Sequence, residues 1–131
     1  MPVKARPPLK PLFWMGSSRK DLKSFPAEVQ DEMGYALRDA QFGGTRINAK
    51  VLKGFRGAGV LEVVEDFDRS SYRAVYTVRF EGVVYVLHAF QKKSKRGIAT
   101  PQTAMELIRA RLKAAEQHYL KWRAQHGEEA R

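Results

Sequence analysis

The chain has 131 residues, 44% of them hydrophobic, with five Tyr, seven Phe and two Trp. That is enough for one domain with one core, and too apolar for a disordered chain. There is no cysteine, which excludes disulfides and thiolate metal sites, and no apolar run approaches the roughly 20 residues of a membrane span.

The net charge is +10 and it is unevenly spread. Residues 92–123 carry nine Lys or Arg against Glu106 and Glu116, a net charge of +7. Residues 60–68 carry Glu62, Glu65, Asp66 and Asp68 and no base. Clustered positive charge attracts a phosphate backbone and speeds encounters with it, whereas the plainer reading is a solvated surface.

The start, "MPVKARPPLKP", is basic and proline-rich and lacks the apolar stretch of a signal peptide, so a cytoplasmic protein is expected. Residues 1–10 read as a flexible tail, 11–123 as a single domain and 124–131 as a frayed end. Leu12–Met15 reads as a short strand closed by Gly16, and Ser17 or Ser18 is placed to cap a helix over "RKDLKSF". Pro26 suits a first helical position and opens "PAEVQDEMGYALRDAQ". Leu22, Phe25, Val29, Met33, Leu37 and Ala40 recur at steps of three and four, giving both helices one apolar side. Gly34 within this pattern suggests a close helix contact, and Gly43 and Gly44 end it.

The period then changes from near 3.6 to 2. Strands are predicted at 49–55, 60–67, 72–80 and 83–91, joined by "GAG", "DRSS" and a tight Glu81–Gly82 hairpin. Strand 83–91 is apolar on both faces, which predicts a central strand covered on both sides. Thr100 caps and Pro101 opens a last helix, whose seam is Met105, Ile108, Leu112, Ala115, Tyr119 and Trp122. The fold class expected is α+β: an N-terminal strand and helical hairpin packed on a twisted antiparallel sheet of about four strands, with a C-terminal helix.

Strand pairing concentrates the chemistry. A turn at Glu81–Gly82 sets Phe80 against Val83, and the register runs back to Tyr72 opposite Gln91 and Arg73 opposite Phe90. Arg73 then shares a sheet edge with Lys92, Lys93 and Lys95, and the loop "KGFRGAG" adds Lys53 and Arg56 if its strand ends nearby. A guanidinium holds two phosphate oxygens while ammonium groups act as point charges, a set suited to a phosphodiester whose charge grows at the transition state.

The stretches "YRAVYTV", "KVLKGFRGAGVLEVVEDF" and "VYVLHAFQKKSKRGIATP" resemble the phage-derived branch of the RelE/ParE toxin superfamily, close to its HigB-type members. The resemblance runs from about Pro11 to Trp122. It implies a RelE-like fold and the toxin of a type II toxin–antitoxin pair: an endoribonuclease that enters the ribosomal A site and cuts mRNA there without metal or other cofactor. In that reading the RNA's own 2′-hydroxyl is the nucleophile, the partners are mRNA on the ribosome and ribosomal RNA, and a helix-turn-helix, HigA-like antitoxin binds the toxin. Arg73 matches the strand arginine assigned to the scissile phosphate, and Lys92, Lys93 and Lys95 match the basic motif after the last sheet strand. Where RelE carries strand lysines, this chain has Glu62 and Glu65, and the family's C-terminal catalytic tyrosine has no clear equivalent. Gln91, Arg96 and Arg109 are further RNA-binding candidates. Candidates for proton transfer are His88, Tyr76, Glu62 or one of the clustered lysines. Two other readings stay open: a ParE-like poison of DNA gyrase, and a phage-derived nucleic-acid-binding protein without catalysis.

Overall fold

In the computed structural model, which describes residues 9–55, 57, 59–92 and 100–126, the change of sequence period marks the change from helix to strand. The elements in chain order are β1 (Leu12–Trp14), α1 (Ser18–Lys23), α2 (Ala27–Gln41), β2 (Ala49–Val51), β3 (Val60–Phe67), β4 (Ser70–Thr77), β5 (Val84–Lys92) and α3 (Gln102–His126). One five-stranded sheet has the order β1-β5-β4-β3-β2. The strands β2 to β5 form the expected antiparallel meander. The expected count of about four becomes five because β1 joins the sheet, parallel to β5. The middle strand is therefore β4 rather than the strand expected there, although β5 is internal too.

Period-2 alternation divides the sheet into two faces, each with its own core. Leu61, Val63, Tyr72, Ala74, Tyr76, Val84, Val86 and Ala89 pack with the α1–α2 side chains Leu22, Phe25, Val29, Met33, Ala36, Leu37 and Ala40. On the other face Val60, Val75, Tyr85 and Leu87 pack with Ile108, Ala115 and Tyr119 of α3, and Met105, Leu112 and Trp122 complete that seam. The sheet is thus covered by helices on both sides. Burying that much apolar surface on two faces of one layer is what holds the order of elements.

Local details depart from the sequence reading where a side chain has a better partner. Ser17 makes no capping bond to an amide; its hydroxyl donates to Asp21 Oδ2 at 2.7 Å and accepts from Arg111 Nη2 at 3.2 Å. Thr100 gives its hydroxyl proton to Glu62 Oε2, at 2.8 Å. Gly34 is exposed and nothing lies within 4 Å of where its Cβ would be, so it is no helix contact. The β3–β4 turn is a two-residue hairpin in which Asp68 (φ 46°) and Arg69 (φ 67°) both take the left-handed conformation that such turns require.

The β4–β5 hairpin differs more. Its ladder stops at Thr77 opposite Tyr85, well short of Glu81–Gly82, although the Val83 amide still closes a turn onto the Phe80 carbonyl at 3.3 Å. The expected register holds at the open end, with Tyr72 opposite Gln91 and Arg73 opposite Phe90. Between Val75↔His88 and Tyr76↔Val86 one extra residue, Leu87, forms a bulge. Both Leu87 and His88 consequently reach α3. Arg111 of that helix donates through Nη1 to the Leu87 carbonyl at 2.9 Å and lies 3.4 Å from His88 Nδ1. Its guanidinium also fills the space beside Gly16 (φ 54°), where an added Cβ would come within 2.7 Å of Arg111 Nε.

Replacing Arg111 by Leu removes the donor that satisfies the bulge carbonyl. The expected loss is about 1–3 kcal/mol of unfolding free energy, measured by urea titration, with the secondary structure retained.

Candidate nucleic-acid groove

The face of the sheet that carries α3 is not fully covered by it. Beyond Met105 a groove of about 980 Å³ opens over β2, β3 and β4. Cross-strand register explains its floor. Lys50 pairs with Glu62, and Val64 pairs with Arg73. These residues alternate with the Leu61, Val63 and Ala74 side chains of the opposite core. Thr100, Gln102 and Met105 form one wall, and Ile47, Val51 and Lys53 lie along the lip.

Arg73 and Glu62 form the one deeply buried ion pair among the described residues. Arg73 Nη1 donates to Glu62 Oε1 at 3.1 Å, and the two side chains are only 5% and 11% exposed. Glu62 Oε2 accepts from Thr100, so both carboxylate oxygens are engaged. A charge taken out of water this far survives only with a partner and hydrogen bonds around it. Each of the two residues supplies what the other needs, and both line the groove.

The other sequence candidates fall into distinct places. Lys53 is exposed on the lip. Lys92 pairs with Ser71, two ladder steps beyond Arg73↔Phe90, and so shares the Arg73 face of the sheet. Lys93, Lys95, Arg96 and Arg56 lie outside the described residues. Arg109 is on α3 and ties that helix to the loop after β2: its Nη2 donates to the Gly54 carbonyl at 3.2 Å and its guanidinium sits 5.3 Å from the Phe55 ring centre.

Gln91 and Tyr76 are corrections. Gln91 pairs with Tyr72, whose side chain belongs to the α1–α2 core, and its amide donates to Ser70 Oγ at 2.9 Å. Both it and Tyr76 therefore sit on the sheet face opposite Arg73. Tyr76 is fully buried there, within the α1–α2 core and away from the groove, and burial with Asp39 nearby pushes its phenol up to about 12. Three residues apart on one strand, Tyr76 and Arg73 lie on opposite faces by the period-2 rule. Lys50, Asn48 and Gln102 were not singled out in the sequence, and Met105 was read only as part of the helix seam, because nothing in it locates the wall that α3 builds beside β2.

His88 shares the Arg73 face but does not line the groove. Its ring stacks on Phe90, 4.8 Å between centres and 20° between planes. Burial, followed by the nearby Arg111 charge, lowers its pKa from the ordinary 6.5. Among the described residues no cluster of His, Asp and Glu has the makings of a metal site, and no helix is long and apolar enough to cross a membrane.

On the opposite face, α2 and β3 enclose a smaller acidic cleft of about 360 Å³, lined by Glu28, Asp31, Glu32, Glu65, Val29, Tyr35 and Phe67. Burial first and Glu32 second raise the Glu65 pKa. The acidic run at 60–68 thus divides: Glu62 serves the groove and Glu65 the far side.

Two measurements check these assignments. Glu62→Ala leaves the buried guanidinium without its carboxylate and is expected to cost about 3–5 kcal/mol by urea titration, whereas Glu62→Leu with Arg73→Met is expected to be close to neutral. For His88 the folded pKa lies below the unfolded one, so the unfolded chain binds more protons as pH falls through about 6.5. The His88 contribution to stability is complete above that pH and is lost as the pH drops toward the lowered value. The pH dependence of the melting temperature in this window is expected to be weaker in His88→Asn than in the parent.

Comparison with known proteins follows the same lines. Residues 20–113, more than half of the chain, match the family described as Phage derived protein Gp49-like (DUF891). Among solved structures, the RelBE2 toxin–antitoxin complex from Mycobacterium tuberculosis aligns with a TM-score of 0.44 and 16% identity, over 66% of this chain and 94% of that one. No curated protein matches. The chain belongs to the phage-derived Gp49-like family.

Proposed function

We propose that this chain is the toxin of a type II toxin–antitoxin pair, and that it cuts mRNA on the ribosome without a metal. The observation that carries the reading is the buried Arg73–Glu62 pair on the floor of a groove whose floor and lip also carry Lys50 and Lys53. A phosphodiester needs this set: a planar fork for two oxygens, ammonium groups around it and a carboxylate within reach. Family membership and the RelE resemblance of the "YR.VY" strand support the same assignment.

The chemistry is an internal transesterification. The 2′-oxygen bonds to the neighbouring phosphorus, the bond from phosphorus to the 5′-oxygen breaks, and a 2′,3′-cyclic phosphate and a 5′-hydroxyl result. Glu62 takes the 2′-hydroxyl proton, Arg73 holds the non-bridging oxygens as their charge grows, and the basic stretch that begins at Lys92 gives a proton to the leaving oxygen. Thr100 acts as a positioning residue. By donating to Oε2 it keeps the Glu62 carboxylate turned so that Oε1 stays on Arg73. The partners in this reading are mRNA in the A site, ribosomal RNA and a helix-turn-helix antitoxin, with a cytoplasmic location.

The test is induced expression followed by mapping of mRNA 5′ ends. New ends are expected inside translated codons only. The double variant Glu62→Gln with Arg73→Gln removes both charges while keeping an amide pair, so it is expected to stay folded and lose about 100-fold or more of cleavage. Thr100→Val is expected to lower the cleavage rate with little change in ribosome binding, and Thr100→Ser to restore it. DNA breaks with intact mRNA, or full cleavage by the folded double variant, would refute the assignment.

A further inference from the structure

The groove is larger and more apolar than a phosphate requires. Its volume of about 980 Å³ is bounded by Val64 on the floor, Met105 on the wall and Ile47 and Val51 at the lip, the last two 96% and 59% exposed. Aliphatic groups contribute nothing to the hold on an anion, whereas a nucleobase has two apolar faces to cover and a polar edge to satisfy. Cross-strand register sets the distance between the polar ends of the groove. The Val64 amide donates to the Asn48 carbonyl at 3.4 Å, and Val64 pairs in turn with Arg73. Asn48, Val64 and Arg73 therefore stand in one row across the sheet, with Asn48 about 10 Å, two strand spacings, from Arg73. That is the reach of one nucleotide from its phosphate to the far edge of its base.

The polar group at the Asn48 end is incompletely satisfied. Its Nδ2 donates to Glu65 Oε2 at 3.2 Å and reaches the Val64 carbonyl at 3.5 Å. An ionised carboxylate only accepts, so it fixes which end of the amide faces it and leaves the amide oxygen on the other side. Asn48 Oδ1 is closed off from water and has no hydrogen-bond partner among the described residues. A buried acceptor without a donor costs free energy, and its place in the lining of a groove points to a donor that arrives with the ligand. The long contact to the Val64 carbonyl is the one that yields as the amide turns its oxygen toward that donor.

We infer that the base of the nucleotide whose phosphate meets Arg73 lies on Val64 beside Met105, and that Asn48 selects a base with an exocyclic amine. The amine of adenine or cytosine donates to Oδ1. A carbonyl at the same ring position, as in guanine or uracil, brings oxygen against oxygen with the Glu65 carboxylate behind, and is turned away. Ile47 and Val51 give the approach an aliphatic surface for the ring faces. The subsite rests on the groove being a nucleic-acid site, as proposed above. It adds a preference that the cations do not supply, since Arg73, Lys50 and Lys53 attract every nucleotide alike.

The experiment titrates labelled 2′-O-methyl oligonucleotides, which lack the attacking hydroxyl, with the full chain and reads fluorescence anisotropy. Two matched pairs are used, oligocytidylate against oligouridylate and oligoadenylate against oligoinosinate. Within each pair an amine is exchanged for a carbonyl at one ring position. The amine member of each pair is expected to bind about tenfold or more tighter. Asn48→Ala removes the acceptor, and the two members of each pair are then expected to bind within about twofold of each other. Glu65→Gln lies on the far face and keeps a hydrogen bond to Asn48, but a side-chain amide both donates and accepts, so the hold on the Asn48 orientation is lost. It is expected to narrow both ratios to about threefold or less, with urea titration showing the fold intact. Equal binding within both pairs by the parent, or ratios unchanged in both variants, would overturn the inference. An absence of binding to every oligomer would overturn it together with the groove reading. Discrimination by a chain that cuts no mRNA upholds the subsite and refutes the cleavage reading alone.

Discussion

A guanidinium and a carboxylate held 3.1 Å apart at the bottom of a groove constrain everything around them. Neither charge is stable there alone, and the pair contributes little net stability compared with two apolar side chains of the same size. Its presence on the β3–β4 floor therefore points to chemistry rather than to folding. The same pair fixes the electrostatics of the groove. Part of the positive charge of Arg73 is answered from within, leaving Lys50 and Lys53 to meet an incoming anion first. In the proposed reaction a phosphate that reaches Arg73 would share it with Glu62, the residue proposed there as the base.

The two faces of the sheet have opposite characters. On the α3 side lie the groove and its cations; on the α2 side lies the cleft of Glu28, Asp31, Glu32 and Glu65, with Arg46 bridging Glu32 at 3.4 Å and Asp39 at 3.6 Å. A net charge of +10 conceals this separation. An anionic partner is drawn to one face and turned away from the other, so the charge distribution orients the encounter as well as accelerating it.

Much of this arrangement was legible in the sequence, for a simple reason. Alternation and helical spacing report which side of an element is buried, and Leu22 to Ala40 and Met105 to Trp122 showed their faces plainly. The Arg73–Phe90 register came out right although the turn that was used to derive it does not carry the ladder. The bulge at Leu87 compensates for part of that difference, and no residue type announces a bulge in advance. The N-terminal strand was read, but its parallel pairing with β5 depends on contacts far apart in the chain. In the groove, Arg73 and Glu62 could be named from the strands alone. That the two are partners follows from β3–β4 pairing, while Thr100, Gln102 and Met105 enter only through the position of α3. Three-dimensional neighbours contributed by a different element leave no periodic trace.

Arg111 has a last consequence, which concerns the order of synthesis. The α1–α2 core draws only on residues up to Ala89, whereas the bulge clasp, the groove wall and the second core all wait for residues 100–122. A chain emerging from its N-terminus can bury one side of its sheet while the other still lacks its cover. The groove is thus the last feature of the molecule to take shape, completed only when the C-terminal helix arrives.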